Sequence, residues 1–331
     1  MPPIEHEWPN FAGVPEDDTL TMTRPKGQRL ARWVWYDGDL RKAESLNVHY
    51  YANALHYGTA VFEGIRCYPT DRGPVLLRLG DHISRFMASA SLYGMSMPYD
   101  EGALFAACLE VTRKNGIDNG YIRPLAYFGE GPIDLKPKKE CPVRVFVAIR
   151  ELGIFLGDGA LRNGVRMTVS SWRKAHHTVY PTQAKASGHY ANMVLAAHEA
   201  MDRGFDDAIL LTQEGTVSSA TGQNLFFVKS GTLVTNDETS SIVPGITRDC
   251  ILKLAADMSM PVQVRSFTRE ELLRADEVFM TGTAAEVTPV REIDGVVFDT
   301  GKNTVGALFQ RSYLRAVTGK DDRYAHWLTS L

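Results

Sequence analysis

A chain of 331 residues, 44% apolar and 23% charged, is long enough for two ordinary domains or one large one with a buried core, and no run approaches the roughly 18 apolar residues a membrane span needs. The 36 Lys and Arg against 39 Asp and Glu are not gathered into blocks, so neither a membrane nor a nucleic-acid partner is expected. Cys67, Cys108, Cys141 and Cys250 lie far apart without paired spacing, which argues against a zinc site or a redox dithiol and leaves no metal expected.

Residues 1–29 are rich in proline, acid and threonine without periodicity and read as an N-terminal arm. No basic segment followed by an apolar one opens the chain, so a cytoplasmic location is expected. Residues 32–36, the Asp37-Gly38 pair and residues 39–41 read as a β-hairpin, because Asp-Gly supplies the positive φ of a tight turn. Over 55–68, Gly58 and Gly64 permit close backbone approach and Tyr57 and Phe62 can wall a pocket; the same stretch also fits a core strand with bulges. A strand over 75–79 follows, then a helix capped by Asp81 that carries Arg85 and closes at Gly94. Residues 100–114 show helical spacing of Leu104, Ala107, Cys108 and Val111 before Gly116. Residues 121–128 and 142–149 read as strands, with Val143, Val145 and Val147 on one face. Four glycines within 151–164 mark the connection between two domains, with the boundary near Gly157.

Beyond it, a strand over 165–170 leads to Tyr180-Pro181-Thr182-Gln183-Ala184-Lys185-Ala186-Ser187-Gly188-His189-Tyr190. The small neighbours of Lys185 let a flat ligand lie close to the backbone, and a lysine desolvated there can condense with an aldehyde. A helix ending at Gly204 follows, then short strands over 208–211, 216–217, 225–228 and 233–235 that read as a meander. Pro244-Gly245-Ile246-Thr247-Arg248-Asp249 opens an apolar-periodic helix, whose free amides can hold an anion. Thr268 and Glu271 form a capping box. The strand over 277–280 empties into Thr281-Gly282-Thr283-Ala284-Ala285, and a last helix covers 304–317 before a polar tail. Lys185, the 245–247 helix start and the 281–285 turn together ask for one planar, anionic ligand, and pyridoxal phosphate fits all three.

With Leu55-His56-Tyr57-Gly58-Thr59-Ala60-Val61-Phe62-Glu63-Gly64-Ile65-Arg66, Tyr121-Ile122-Arg123-Pro124, Asn224-Leu225-Phe226 and the 244–249 motif, the chain resembles the branched-chain amino acid aminotransferases from about Leu30 to Gly319. The resemblance implies an α+β, two-domain, fold type IV pyridoxal phosphate enzyme. A small N-terminal α/β sandwich (30–156) follows the arm (1–29), and a larger C-terminal pseudo-barrel (157–331) completes it. It further implies a homodimer or larger assembly that moves an amino group between an L-amino acid and a 2-oxo acid. Lys185 would hold the cofactor and shuttle the proton. Arg85, Ile246, Thr247 and Thr283 would bind its phosphate, with Arg85 using its planar fork, and Tyr190 would meet the ring hydroxyl. Tyr121, Thr283 and Ala284 would face the substrate carboxylate, Tyr57, Phe62 and Gly64 would line the side-chain pocket, and Arg123 would greet a distal carboxylate.

Three departures from the family pattern matter. Ser219 stands where the family carries the glutamate that faces the ring nitrogen, and a hydroxyl supplies no compensating charge. Gln223, at another position often acidic, does not restore it. That opens an alternative in which the same cofactor serves elimination, replacement or another Cα or Cβ reaction; a third reading is an idle homologue kept as a binding partner. In the substrate pocket, Leu152 and Phe155 replace tryptophan and tyrosine. Pro132-Ile133-Asp134 replaces a glycine-methionine-glycine loop, and Asp134 there either faces solvent or selects a basic substrate.

Overall fold

The structure, a computed structural model, describes residues 30–153, 155–156 and 159–331. The expected arm at 1–29 and the boundary at Gly157 lie outside the described residues. Asp37 and Gly38 take φ of 46° and 95° and join β1 (Trp33–Tyr36) to β2 (Asp39–Lys42), as the turn residues require. Then come α1 (Asn53–Tyr57), β3 (Ala60–Phe62), β4 (Ile65–Tyr68), β5 (Val75–Leu77), α2 (Leu79–Leu92), α3 (Glu101–Asn115), β6 (Gly120–Phe128), α4 (Pro137–Glu140) and β7 (Val143–Glu151). The second half holds α5 (Ala160–Asn163), β8 (Val165–Arg173), α6 (Tyr190–Asp202), β9 (Asp207–Leu211), β10 (Val217–Ala220), β11 (Asn224–Lys229), β12 (Thr232–Thr235) and α7 (Ile246–Asp257). It ends with β13 (Val262–Val264), α8 (Arg269–Leu273), β14 (Glu277–Gly282), β15 (Glu286–Ile293), β16 (Val296–Val297), α9 (Val305–Val317) and β17 (Leu328–Ser330).

The strands form two sheets, which with the helices make an α+β fold. The first runs β17-β5-β4-β6-β7-β1-β2, with β3 also on β6, and the second runs β10-β9-β8-β15-β14-β11-β12-β13, with β16 on β15. Ladders of the first sheet are antiparallel throughout the described residues. In the second, β8 lies parallel to both β9 and β15. The meander forms only in part: β9 pairs with β10 and β11 with β12, but β11 turns to β14 instead of β10. Between β10 and β11, Thr221, Gly222 and Gln223 leave the ladder to line a cavity.

Local chemistry explains most of the boundaries. Asp100 caps α3 by accepting from Ala103 N, and Gly116 closes it in the left-handed region. Thr268 and Glu271 complete their capping box. Asp81 is not a cap: α2 starts earlier, from Arg78, and Asp81 in its first turn accepts from Arg78 Nε at 2.7 Å. The 55–68 stretch resolves into α1, a left-handed Gly58 and two strands rather than one bulged strand.

Ile83 and Phe86 of α2 and Leu104 and Val111 of α3 bury against the first sheet. Phe226, Phe279, Leu254, Phe309 and Tyr313 build the core between the second sheet, α7 and α9. A buried polar group ties the sheets together: Arg66 of β4 pairs with Glu286 of β15 at 3.6 Å, and Tyr68 OH donates to Glu286 Oε1 at 2.8 Å. The cleft beside that tie is closed on one side by the lysine loop. Val61 bridges to Ala186, and Phe62 N donates to Lys185 O at 3.0 Å.

Candidate active site

At one end of the cleft Arg85 projects from α2 toward the start of α7. Its Nε and Nη2 donate to Glu63 Oε1 and Oε2 at 2.6 and 2.9 Å, and its Nη1 donates to Pro244 O at 2.6 Å. The planar fork, expected from the resemblance to meet the phosphate, is thus taken by Glu63, and Arg85 lines the cleft beside these contacts. His82 Nδ1 donates to Glu63 Oε2 at 2.8 Å. Burial alone would raise the Glu63 pKa, but the Arg85 guanidinium and the His82 contact hold it well below the usual carboxylate range. Burial pushes the His82 pKa down, so the ring serves as a neutral donor.

Facing Arg85, α7 begins at Gly245 with no side chain capping its amides. A Cβ at Gly245 would lie 2.1 Å from Asn224 Oδ1, so the bare backbone is required there. Ile246, Thr247, Gly282 and Thr283 line the same end. Thr281 Oγ1 is buried there without a partner. This end offers a cation, free amides and hydroxyls to an anion.

Midway, Lys185 Nζ donates to Tyr190 OH at 2.6 Å and lies 5.0 Å from the centre of the Phe62 ring. The loop is held from both sides, since Lys185 N donates to Ser89 Oγ of α2 at 3.1 Å. Gly188 and Gly58 touch backbone to backbone, where a Cβ on Gly58 would come within 3.1 Å of Gly188 Cα. The sequence expectation of close approach at Gly58 is met by the lysine loop itself.

Ser219 lies at the other end. Its Oγ donates to Ala220 O at 2.8 Å and accepts from Lys174 Nζ at 3.3 Å. Lys174, one residue past β8, escapes sequence reasoning; in Trp172-Arg173-Lys174 it reads as a solvated strand end, and no local pattern flags it. It is buried, and burial together with the Lys185 charge pushes its pKa down to about 7. Burial and the Lys174 charge push His189 down to about 4. No Asp or Glu is among the described residues lining this cleft.

A second cavity continues from Lys185, Tyr190 and Thr283 past Phe62, Tyr121, Arg123, Leu152, Phe155 and Ala284. Arg123 Nη2 donates to Tyr121 OH at 3.2 Å, its Cζ stacks 4.4 Å from the Phe62 ring centre, and its Nε is buried without a partner. Gly64 lies beneath Tyr121, where a Cβ would overlap the hydroxyl at 1.8 Å. Lys185, Arg85, Tyr190, Ser219, Ile246, Thr247 and Thr283 therefore share the first cavity, and Phe62, Tyr121, Arg123, Phe155 and Ala284 share the second. Tyr57 lines neither: it ends α1 before the reversal at Gly58 and is 40% exposed. Asp134 lines neither as well; its carbonyl accepts from Asn53 Nδ2 at 2.9 Å.

Comparison with known proteins agrees with this geometry. Residues 60–293 match the family described as amino-transferase class IV. The branched-chain-amino-acid aminotransferase of Escherichia coli K12 is 40% identical over 301 residues, 91% of this chain and 97% of that protein. The Pseudomonas aeruginosa protein of the same name is 37% identical over 297 residues, 89% of this chain and 96% of its own. Among solved structures, a T.th. branched-chain amino acid aminotransferase with pyridoxamine 5'-phosphate superposes with a TM-score of 0.87 at 43% identity, covering 91% of this chain and 98% of that one. The E. coli branched-chain amino acid aminotransferase superposes with a TM-score of 0.88 at 40% identity, covering 91% and 99%.

Proposed function

This chain belongs to the class IV aminotransferases, and from that premise we propose that it moves an amino group between an apolar, branched L-amino acid and a 2-oxo acid, with pyridoxal 5'-phosphate held on Lys185. The observation that carries the reading is Lys185 Nζ, 2.6 Å from Tyr190 OH at the junction of the two cavities. The residues fit the cofactor: Arg85, the uncapped amides of α7 and the unpartnered Thr281 hydroxyl suit a phosphate, and the amine stands between them and Ser219.

When bound, pyridoxal phosphate supplies an aldehyde for amine exchange and a conjugated ring that withdraws electrons from the substrate α-carbon. The chain's residues do the rest. Arg85, Ile246, Thr247 and Thr283 bind the phosphate, while Glu63 and His82 fix Arg85 in place. Lys185, once freed, takes and returns the α-proton, and the Tyr190 hydroxyl beside it orients the amine. Tyr121 and the 283–284 backbone bind the substrate carboxylate. Phe62, Phe155 and Leu152 exclude water around an apolar side chain. Arg123, with spare donors, receives the distal carboxylate of a 2-oxo acid such as 2-oxoglutarate.

Relatives 40% identical over 91% of the chain are named aminotransferases, which favours amino transfer over the elimination or replacement that Ser219 opens. The intact lysine, phosphate and substrate groups equally weigh against an idle homologue.

The reading includes two domains, 30–156 and 157–331, in support of which each of these stretches builds most of one sheet. It includes a homodimer or larger assembly, supported by the exposed Tyr50, Tyr51, Leu55 and Tyr57 around α1 and by the position of Tyr57 outside its own cleft. It also includes a cytoplasmic location, consistent with four unpaired thiols. Transfer from L-leucine, L-isoleucine or L-valine to 2-oxoglutarate is the test; no turnover with any of the three, by holoprotein, overturns the substrate reading.

A further inference from the structure

By resemblance, Ser219 occupies the position from which related enzymes direct a glutamate at the ring nitrogen of the cofactor. Its neighbour changes what that substitution means. Lys174 Nζ lies 3.3 Å from Ser219 Oγ and 3.9 Å from Met193 Sδ, buried in the wall of the same cleft. Asp207, the buried acid behind Thr221, is engaged by the Thr221 hydroxyl at 2.6 Å and the Ala208 amide at 2.8 Å, and does not line the cleft. An ammonium has donors only, so the Ser219 oxygen accepts from Lys174 and its single proton is left for Ala220 O or for an acceptor in the cleft.

We propose that Lys174 is a positioning residue acting through Ser219: the ring nitrogen accepts a hydrogen bond from the Ser219 hydroxyl instead of carrying a proton, and the compensating positive charge resides on Lys174, one hydroxyl away. Where the related enzymes hold a charged ring against a carboxylate, this chain holds a neutral ring beside an ammonium. A cation at that distance still draws electron density into the ring, because the site is buried and screened little by water.

The groups that interact with Lys174 are Lys185 and His189 from the lysine loop, Met193 from α6 and Ser219 from β10; Arg85, Tyr180 and Tyr190 line the same cleft. Burial, the first cause of the lowered Lys174 pKa, persists when the cofactor is bound, while the Lys185 charge, the second cause, is given up to the cofactor link; His189 is neutral near pH 7, its own pKa lying at about 4. The proton on Lys174, whose pKa is pushed down to about 7, is therefore the charge that changes near neutrality. Electron withdrawal weakens as that proton leaves.

The inference rests on the cofactor-bearing reading of Lys185, and one experiment separates the two. Holoprotein is loaded with pyridoxal 5'-phosphate carrying nitrogen-15 in the ring, and its resonance is followed across roughly pH 6 to 9. The expected result is the shift of an unprotonated, hydrogen-bonded pyridine throughout, with one small inflection near neutrality. Lys174→Met removes the inflection, and Lys174→Arg, whose guanidinium does not titrate, holds the resonance at its low-pH position. A pyridinium shift in the unsubstituted protein overturns the proposal by itself, whether or not the variants fold. So does an inflection that survives in Lys174→Met. Failure of the protein to retain the labelled cofactor overturns the Lys185 reading and this inference together.

Discussion

The two ends of the cleft solve opposite electrostatic problems. At the Arg85 end a partly buried guanidinium is matched by a fully buried carboxylate, Glu63, which takes two hydrogen bonds from Arg85 and one from His82. The Arg85 and Glu63 charges are paired with each other before a ligand arrives, so the anion meets a preorganised donor set. At the Ser219 end a buried amine has a hydroxyl and a thioether for neighbours and no acid among the described residues lining the cleft. One end is braced by charge pairing, and the other stores an uncompensated charge that burial makes easy to lose.

Lys185 is the pivot between the ends, and its loss should have the largest effect. Lys185→Ala should lower amino transfer by roughly a thousandfold or more, since both the covalent link and the proton shuttle go. Residual turnover within about tenfold of the unsubstituted protein would contradict the assignment.

Next in size is the brace. Glu63→Gln leaves the partly buried Arg85 guanidinium without its counter-charge and should cost about 3 kcal/mol, read as a lower urea midpoint. Because the Glu63 pKa is depressed by folding, its stabilisation is present above the ordinary carboxylate pKa and is lost only as pH falls toward its depressed folded value. The Glu63→Gln deficit should therefore be flat from neutral pH down to about the ordinary carboxylate pKa and shrink below it; a deficit that stays constant below that pH would show a carboxylate whose pKa folding does not shift.

The opposite end should respond to pH in the opposite sense. Folding lowers the Lys174 pKa from 10.5 to about 7, so the unfolded chain binds more protons between those values and stability rises with pH across them. The burial penalty is full below about pH 7 and is relieved toward pH 10.5. Lys174→Met should thus raise the thermal midpoint at mildly acidic pH, with a gain that shrinks as pH rises. A gain independent of pH would mean packing and not charge.

The smallest effect lies outside both ends. Arg123→Gln should raise KM for 2-oxoglutarate by about tenfold or more through loss of a charged hydrogen bond, with kcat/KM for L-leucine changed by less than about twofold. An equal loss for both substrates would place Arg123 in general pocket structure instead of distal carboxylate recognition.

Much of this is legible in sequence because it is local. Asp37-Gly38, the Thr268–Glu271 capping box and the Gly245-Ile246-Thr247 start each encode their own geometry within a few residues. Lys185 is legible through its small neighbours, and Ser219 through alignment of a motif. What escapes is what tertiary structure brings together. Glu63, His82 and Arg85 meet from a strand end and a helix, and Lys174 reaches Ser219 across 45 positions. β15 is hidden because Pro289 sits in a central strand and Glu286 is buried at its start, both against strand expectation. β17 closes the edge of the first sheet from a tail that reads as polar. Resemblance puts Tyr57 in the pocket, but within one chain α1 points it outward.

The most direct test of amino transfer through Lys185 is a single-turnover experiment: holoprotein mixed with L-leucine and no 2-oxo acid acceptor, with the bound-cofactor absorbance, 2-oxo acid and ammonia followed together. Amino transfer predicts that the absorbance moves to the shorter wavelength of the amine form, that one 2-oxo acid appears per cofactor, and that no ammonia is released. Continued release of ammonia, with the absorbance returning to its starting position, would contradict it.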